Sequence, residues 1–156
     1  MSDKLVIKKS LRPIQYIDGN GELKTIDPKE ILTFDKYDLD FSTQANHYFL
    51  IARLLDLRQR EYDDTKLKLD TLYAQLYALY IKDKGLRADN NNRKPSEAML
   101  SSAVMNDMNY INLSEKLNSL SADVNLLKRF LKAIELKMNM MQSESAMQRV
   151  DFTKRG

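Results

Sequence analysis

The residues best suited to chemistry in this 156-residue chain are cations set beside aromatic rings. Lys82, Lys84, Arg87, Arg93 and Lys94 fall in "KDKGLRADNNNRK", residues 82–94, which holds five basic and two acidic side chains. Tyr73, Tyr77 and Tyr80 share one helical face just before it, and Lys66 and Lys68 lie further upstream. Lysine and arginine neutralise phosphates while aromatic rings stack on unpaired bases, so single-stranded nucleic acid is the ligand such a combination fits. The same tyrosines can instead line a helix–helix contact, and the same cations can be a solvated surface. Two further basic groups are Lys4, Lys8, Lys9 and Arg12, and Lys128, Arg129 and Lys132 joined by Lys137.

Other chemistry has little to work with. The four glycines, at 19, 21, 85 and 156, build no phosphate-cradling loop, and neither GxxxxGK[ST] nor GxGxxG occurs. There is no cysteine, so thiolate zinc sites and disulfides are excluded. His47 is the single histidine and reads as a surface or packing residue. "DLD" at 38–40 reads as a helix cap rather than a metal site. Asp63 and Asp64 point in different directions on a helix, and Asp56, Arg60 and Asp64 have ion-pair spacing. No cofactor, no metal and no catalytic residue is expected.

The elements that must carry the basic residues follow from periodicity. From Asp40 the chain takes a helical rhythm, with Asp40 or Ser42 able to cap its start and Gly85 a natural stop. Tyr48, Ile51, Leu55, Arg58, Tyr62, Thr65, Leu69, Leu72, Leu76 and Leu79 alternate steps of three and four, with Arg58 and Thr65 the polar breaks. "GLRADNNNRKP" reads as a polar loop, and Pro95 as the opening of a short helix, "SEAMLSSAVM". "NDMNY" at 106–110 reads as a bend into a last helix running to about Arg149, with a frayed tail. That helix repeats the rhythm from Leu113 through Leu117, Leu120, Val124, Leu127, Leu131, Ile134 and Met138 to Met141.

Residues 1–38 read as a separate segment. Two alternating runs flank Asp18-Gly19-Asn20-Gly21, residues that tolerate the positive φ a hairpin turn needs. Ile14, Tyr16, Leu23 and Ile26 supply an apolar face, Pro13 suits the start of an edge strand, and "KLVIK" at 4–8 offers a third strand. The expected fold is therefore mainly α: a long antiparallel, coiled-coil-like helical hairpin over residues 39–156, a short helix at its hinge, and a small N-terminal β-hairpin. Leu50, Leu54, Leu57, Leu67, Leu79, Leu126, Phe130, Ala133, Leu136 and Met140 lie partly off the seams, so the short helix and the β-hairpin are expected to cover some of the surplus and a homo-oligomer the rest. Copies side by side would gather the hinge cations into a ring or stripe.

Net charge is +3, with 43% hydrophobic and 30% charged residues. It is unevenly placed: residues 13–65 hold six basic and eleven acidic side chains, residues 113–156 eight and five. Such a balance permits nucleic-acid binding without requiring it. No apolar run reaches membrane-spanning length, and the N-terminus lacks the apolar core of a signal peptide, so no membrane partner and a cytoplasmic location are expected.

From "FSTQANHYFLIARLLDLRQREYDDTKLKLDTLYAQLYALYIKDKG" through "KPSEAMLSSAVMNDMNYINLSEKLNSLSADVNLLKRFLKAIELKMNMMQSESAMQR", about residues 41–149, the chain resembles the UvsY-type recombination mediators of bacteriophages. The likeness lies in a long first helix ending in an aromatic-plus-glycine hinge, a "SEAML…AV" short helix, a polar break and a second long helix. Residues 1–38 have no counterpart in it. The resemblance implies a small α-helical oligomer, often a ring, without a catalytic site. It implies binding to single-stranded DNA in recombination and repair, remodelling of single-strand-binding protein, and loading of a RecA-like recombinase. The family's DNA contacts are basic residues late in the first long helix. Here Lys66 and Lys68 come earlier, and Tyr73 to Tyr80 occupies much of that stretch before Lys82 and Lys84.

Two other classes fit the residues. A phage structural or scaffold coiled-coil protein would use the seams for assembly alone, without salt-sensitive DNA affinity. An adaptor would recruit one partner through the β-hairpin and another through the helices.

Overall fold

The structure, a computed structural model, describes residues 13–156. It is mainly helical: strands β1 (Ile14–Ile17) and β2 (Leu23–Ile26) precede helices α1 (Pro28–Leu32), α2 (Phe41–Ile81), α3 (Lys84–Asp89), α4 (Glu97–Met105) and α5 (Met108–Arg155). The possible strand at 4–8 and the cations Lys4, Lys8, Lys9 and Arg12 lie outside the described residues. No helix of the described residues is long and apolar enough to cross a membrane. The chain divides into two compact units, one made of residues through Leu55 with Asn125–Gly156, the other of Asp56–Val124.

In the first unit β1 and β2 pair antiparallel, Ile14 opposite Ile26 and Ile17 opposite Leu23. Cross-strand partners share a face, so the hairpin has two apolar pairs on opposite faces. Ile14, Tyr16 and Ile26 face the core, while Ile17 and Leu23 are 69% and 65% exposed, which removes Leu23 from the expected apolar face. Only Gly21 of the four turn residues takes a positive φ, 81°. The turn closes around Asp18, whose Oδ1 accepts from the Asn20 and Glu22 amides at 2.9 Å each.

Helix α1 is a difference from the sequence reading, which carried the hairpin segment to residue 38. Asp27 caps it by accepting from the Lys29 amide, and Pro28 takes the first helical position, where its fixed φ and missing N–H cost nothing. Asp40, not Ser42, caps α2: its carboxylate accepts from the Thr43 amide and hydroxyl. Ile26 and Ile31 then meet Ile51, Leu127, Phe130 and Ile134 in one core. Lys137 lies here too, 9% exposed, its Nζ donating to the Ile31 carbonyl at the end of α1 across 2.6 Å. The Tyr48 hydroxyl donates to Glu135 (3.2 Å), and the Gln148 amide to the Lys36 carbonyl (2.9 Å). Residues 151–155, in the tail expected to fray, continue α5.

In the second unit the α2 and α5 segments run in opposite directions. The Arg58 guanidinium lies 3.6 Å from Asp123, and the Tyr73 and Tyr110 rings are 6.1 Å apart, so one chain rises as the other falls. Arg58 also meets Glu61 at 2.7 Å. This is how a charge sits in the apolar seam: its stem packs while its head reaches carboxylates at the margin. Thr65, the other break, is buried. Among the described residues Asp56, Arg60 and Asp64 form no ion pair, so the expected ladder is replaced by the Arg58 pairs. Leu100 and Val104 of α4 are fully buried and anchor that helix.

Candidate nucleic-acid interface

Helix α2 ends at Ile81, four residues before the expected stop. Asp83 forces the break by turning its side chain to the next helix, where its Oδ1 accepts from the Leu86 amide at 2.9 Å. Gly85 is therefore inside α3 rather than at a terminus. The stretch expected to be a loop throughout is a short helix followed by a tight turn. Asn91 and Asn92 take φ of 54° and 62°, a region asparagine tolerates better than most residues. The Asn92 amide donates to the Arg87 carbonyl (2.7 Å) and the Asn90 side chain to the Lys94 carbonyl (2.7 Å). Pro95 is buried ahead of the Ser96 cap, outside the helix it was expected to open.

This hydrogen-bonded linker carries Lys82, Lys84, Arg87, Arg93 and Lys94, all exposed. Among the described residues none of them lies within 4.0 Å of a carboxylate. Arg87 is partly tied down, its Nε donating to the Ile81 carbonyl at 3.1 Å. Cations on a fixed backbone with no internal partner keep their charge available to an anionic ligand. Lys66 and Lys68 are exposed on α2, more than a dozen residues earlier.

The tyrosines are placed otherwise. Tyr73, Tyr77 and Tyr80 are half-buried, and each hydroxyl reaches α4 or the residue that starts α5. Tyr73 meets the Ser101 hydroxyl (3.3 Å), Tyr77 donates to Glu97 (2.6 Å), and Tyr80 donates to Asp107 (3.1 Å). Tyr73 and Tyr77 stack with centroids 6.2 Å apart. The two carboxylate hydrogen bonds favour the neutral phenol. The pKa of Tyr77 is raised chiefly by Glu97, and that of Tyr80 by burial and then by Asp107. Of the two sequence readings, this geometry follows helix packing. The signal that distinguishes them is the acidic or hydroxyl partners at Glu97, Ser101 and Asp107, which sequence spacing alone does not pair with particular tyrosines.

The third basic group divides. Lys128, Arg129 and Lys132 are exposed on α5, whereas Lys137 is withdrawn into the first unit, a correction to the sequence reading. A lysine follows a bare carbonyl inward when a helix end offers one, and here the end of α1 does. His47 is half-buried, its Nδ1 and the Gln44 Oε1 finding no protein partner. Asp107 caps α5, accepting from the Asn109 amide at 2.9 Å, so it serves both Tyr80 and the helix start. Among the described residues no group of three or more histidines and carboxylates is placed to hold a metal ion. Comparison of the chain with known protein families, curated proteins and solved structures finds no match.

Proposed function

We propose that this protein is a non-enzymatic, homo-oligomeric binder of single-stranded nucleic acid. Following the UvsY-type resemblance, it acts as a recombination mediator in the cytoplasm of a phage-infected bacterium. In that role it helps a RecA-like recombinase load on single-stranded DNA covered by single-strand-binding protein. The observation that supports binding is the linker between α2 and α4. It holds five exposed cations in thirteen residues, without carboxylate partners among the described residues, on a backbone fixed by its own hydrogen bonds. Phosphates are read by the cations, with little sequence preference. The tyrosines hold α4 in place rather than stacking on bases.

The test is a titration with single- and double-stranded oligonucleotides at two salt concentrations. With five phosphate contacts, single-strand affinity should fall roughly 100-fold between about 50 and 200 mM salt. Reversing Lys82, Lys84, Arg93 and Lys94 to Glu should abolish that dependence. Salt-independent or absent binding by the unaltered chain would favour the scaffold reading instead. Loading of a recombinase is checked separately, by strand-exchange rate on protein-covered single strands.

A further inference from the structure

Helix α5 carries a second apolar repeat, distinct from the one it buries. Leu126, Ala133, Met140 and Met147 recur every seven residues, with Leu136 and Val150 three after the second and fourth. Around the helix these lie roughly opposite Leu127, Leu131, Ile134, Met138 and Met141, which the first unit covers. Leu136, Met140, Met147 and Val150 are 52–62% exposed and Leu126 is 36% exposed. The stripe amounts to roughly 450 Å² of apolar surface, within the range of the largest apolar patch on a lone soluble chain. A shallow groove at its far end is lined by Ala146, Met147, Val150 and Asp151.

We infer that this stripe is the seam for a second copy of the chain, paired antiparallel about a two-fold axis near Met140; the inference gives a surface to the self-association proposed above. Three features fit that occupant. A strict seven-residue repeat suits a helix with the same repeat, and this helix supplies one. Pairing two copies removes about twice 450 Å², near the roughly 1,000 Å² at which specific interfaces begin. Two pairs of positions placed symmetrically about Met140 are also complementary under reversal. Ala133 and Met147 each lie seven residues from Met140, so small meets large. Arg129 and Asp151 each lie eleven residues away, so plus meets minus, and both are exposed.

The chain has no cysteine, which permits a direct test by single-cysteine variants of the full-length protein and a short thiol-to-thiol cross-linker. Met140→Cys should cross-link to its own copy. Met147→Cys alone should not, and a mixture of Ala133→Cys and Met147→Cys should. Self-linking at all three positions would mean parallel pairing, and linking at none would mean that no second copy sits there; either overturns the inference. Sedimentation of the double variant Leu136→Glu with Met140→Glu should show association at least tenfold weaker at unchanged helical content, and association as tight as in the unaltered chain would also overturn it. Both side chains are half-exposed in the single copy, so its fold does not depend on them. Neither measurement uses nucleic acid, so failure here leaves the binding reading to its own titration.

Discussion

The hydroxyl of Tyr77 on α2 donates to the carboxylate of Glu97 at the first position of α4, 2.6 Å away. Twenty residues separate the two in the chain, and the five linker cations lie between them. The bond therefore closes the loop that carries the candidate interface, with Tyr73–Ser101 and Tyr80–Asp107 as its neighbours. Three polar contacts, plus Leu100 and Val104 buried beneath, fix where the cations begin and end.

These bonds set an alkaline limit. Tyr48, Tyr77 and Tyr80 all have raised pKa values, Tyr48 chiefly through Glu135. A raised folded-state value means the stabilisation is complete below the ordinary tyrosine value, about 10, and is lost as pH rises through the higher folded values. Absorbance titration should show late-ionising phenols among the eight tyrosines. Tyr77→Phe should remove one of them. A single transition near 10 for all eight would contradict the hydrogen bonds.

Leu76 and Leu79 both fit the heptad, yet Leu76 is 8% exposed and Leu79 63%. Leu76→Ala should cost about 2–4 kcal/mol, the range for emptying a buried leucine site, whereas Leu79→Ala should stay within about 0.5 kcal/mol. Urea unfolding monitored by circular dichroism checks both. Equal losses would place the packed edge of α2 elsewhere.

Gly21 and Gly19 sit in the same turn but differ in backbone. With φ at 81°, Gly21 occupies the left-handed region, and Gly21→Ala should cost about 1 kcal/mol. At Gly19 an added Cβ meets nothing within 4 Å and φ is ordinary, so Gly19→Ala should be near neutral. Chemical shifts of Ile14 and Ile26 report whether the strands stay paired.

Lys137 has its pKa lowered by burial, with Asp38 opposing. The folded state gives up this proton at lower pH than the unfolded one. The cost of burying the ammonium is thus present in full below the lowered value and is relieved as pH climbs toward the ordinary lysine range. Relative to Lys137→Met, the unaltered chain should gain stability as pH rises from neutral toward the ordinary lysine value, about 10. Chemical melts of both chains at the two ends of that range give the comparison. Parallel pH profiles would mean that this lysine is solvated and charged throughout.

Much of the architecture is legible in residue spacing. The three-four rhythm finds α2 and α5, and every member of the α5 seam from Leu113 to Met141 is at least half-buried. Asp18 to Gly21 finds the hairpin, and Pro95-Ser96 the approach to α4. These are local consequences of side-chain period and backbone sterics. Asp27-Pro28 and Asp83 also mark the starts of α1 and α3, but each yields a helix of six residues or fewer, too short to show a period.

The candidate site is legible only in half. Sequence locates the five linker cations, because charge density and a polar turn are properties of a short stretch. It cannot assign the tyrosines, since stacking on a base and packing on a helix ask for the same spacing. Which one occurs depends on Glu97, Ser101 and Asp107 arriving from further along the chain. Leu79 yields to Tyr80 for a related reason: a straight helix falls about 20° short of two full turns every seven residues, so the buried edge passes to later positions than a strict seven-residue repeat marks as α4 comes to cover it. Lys137 went inward because the end of α1 presents a carbonyl there, an arrangement between residues 106 positions apart. Period and local sterics are written in neighbouring residues; the partner of each polar tip is decided only when distant elements meet.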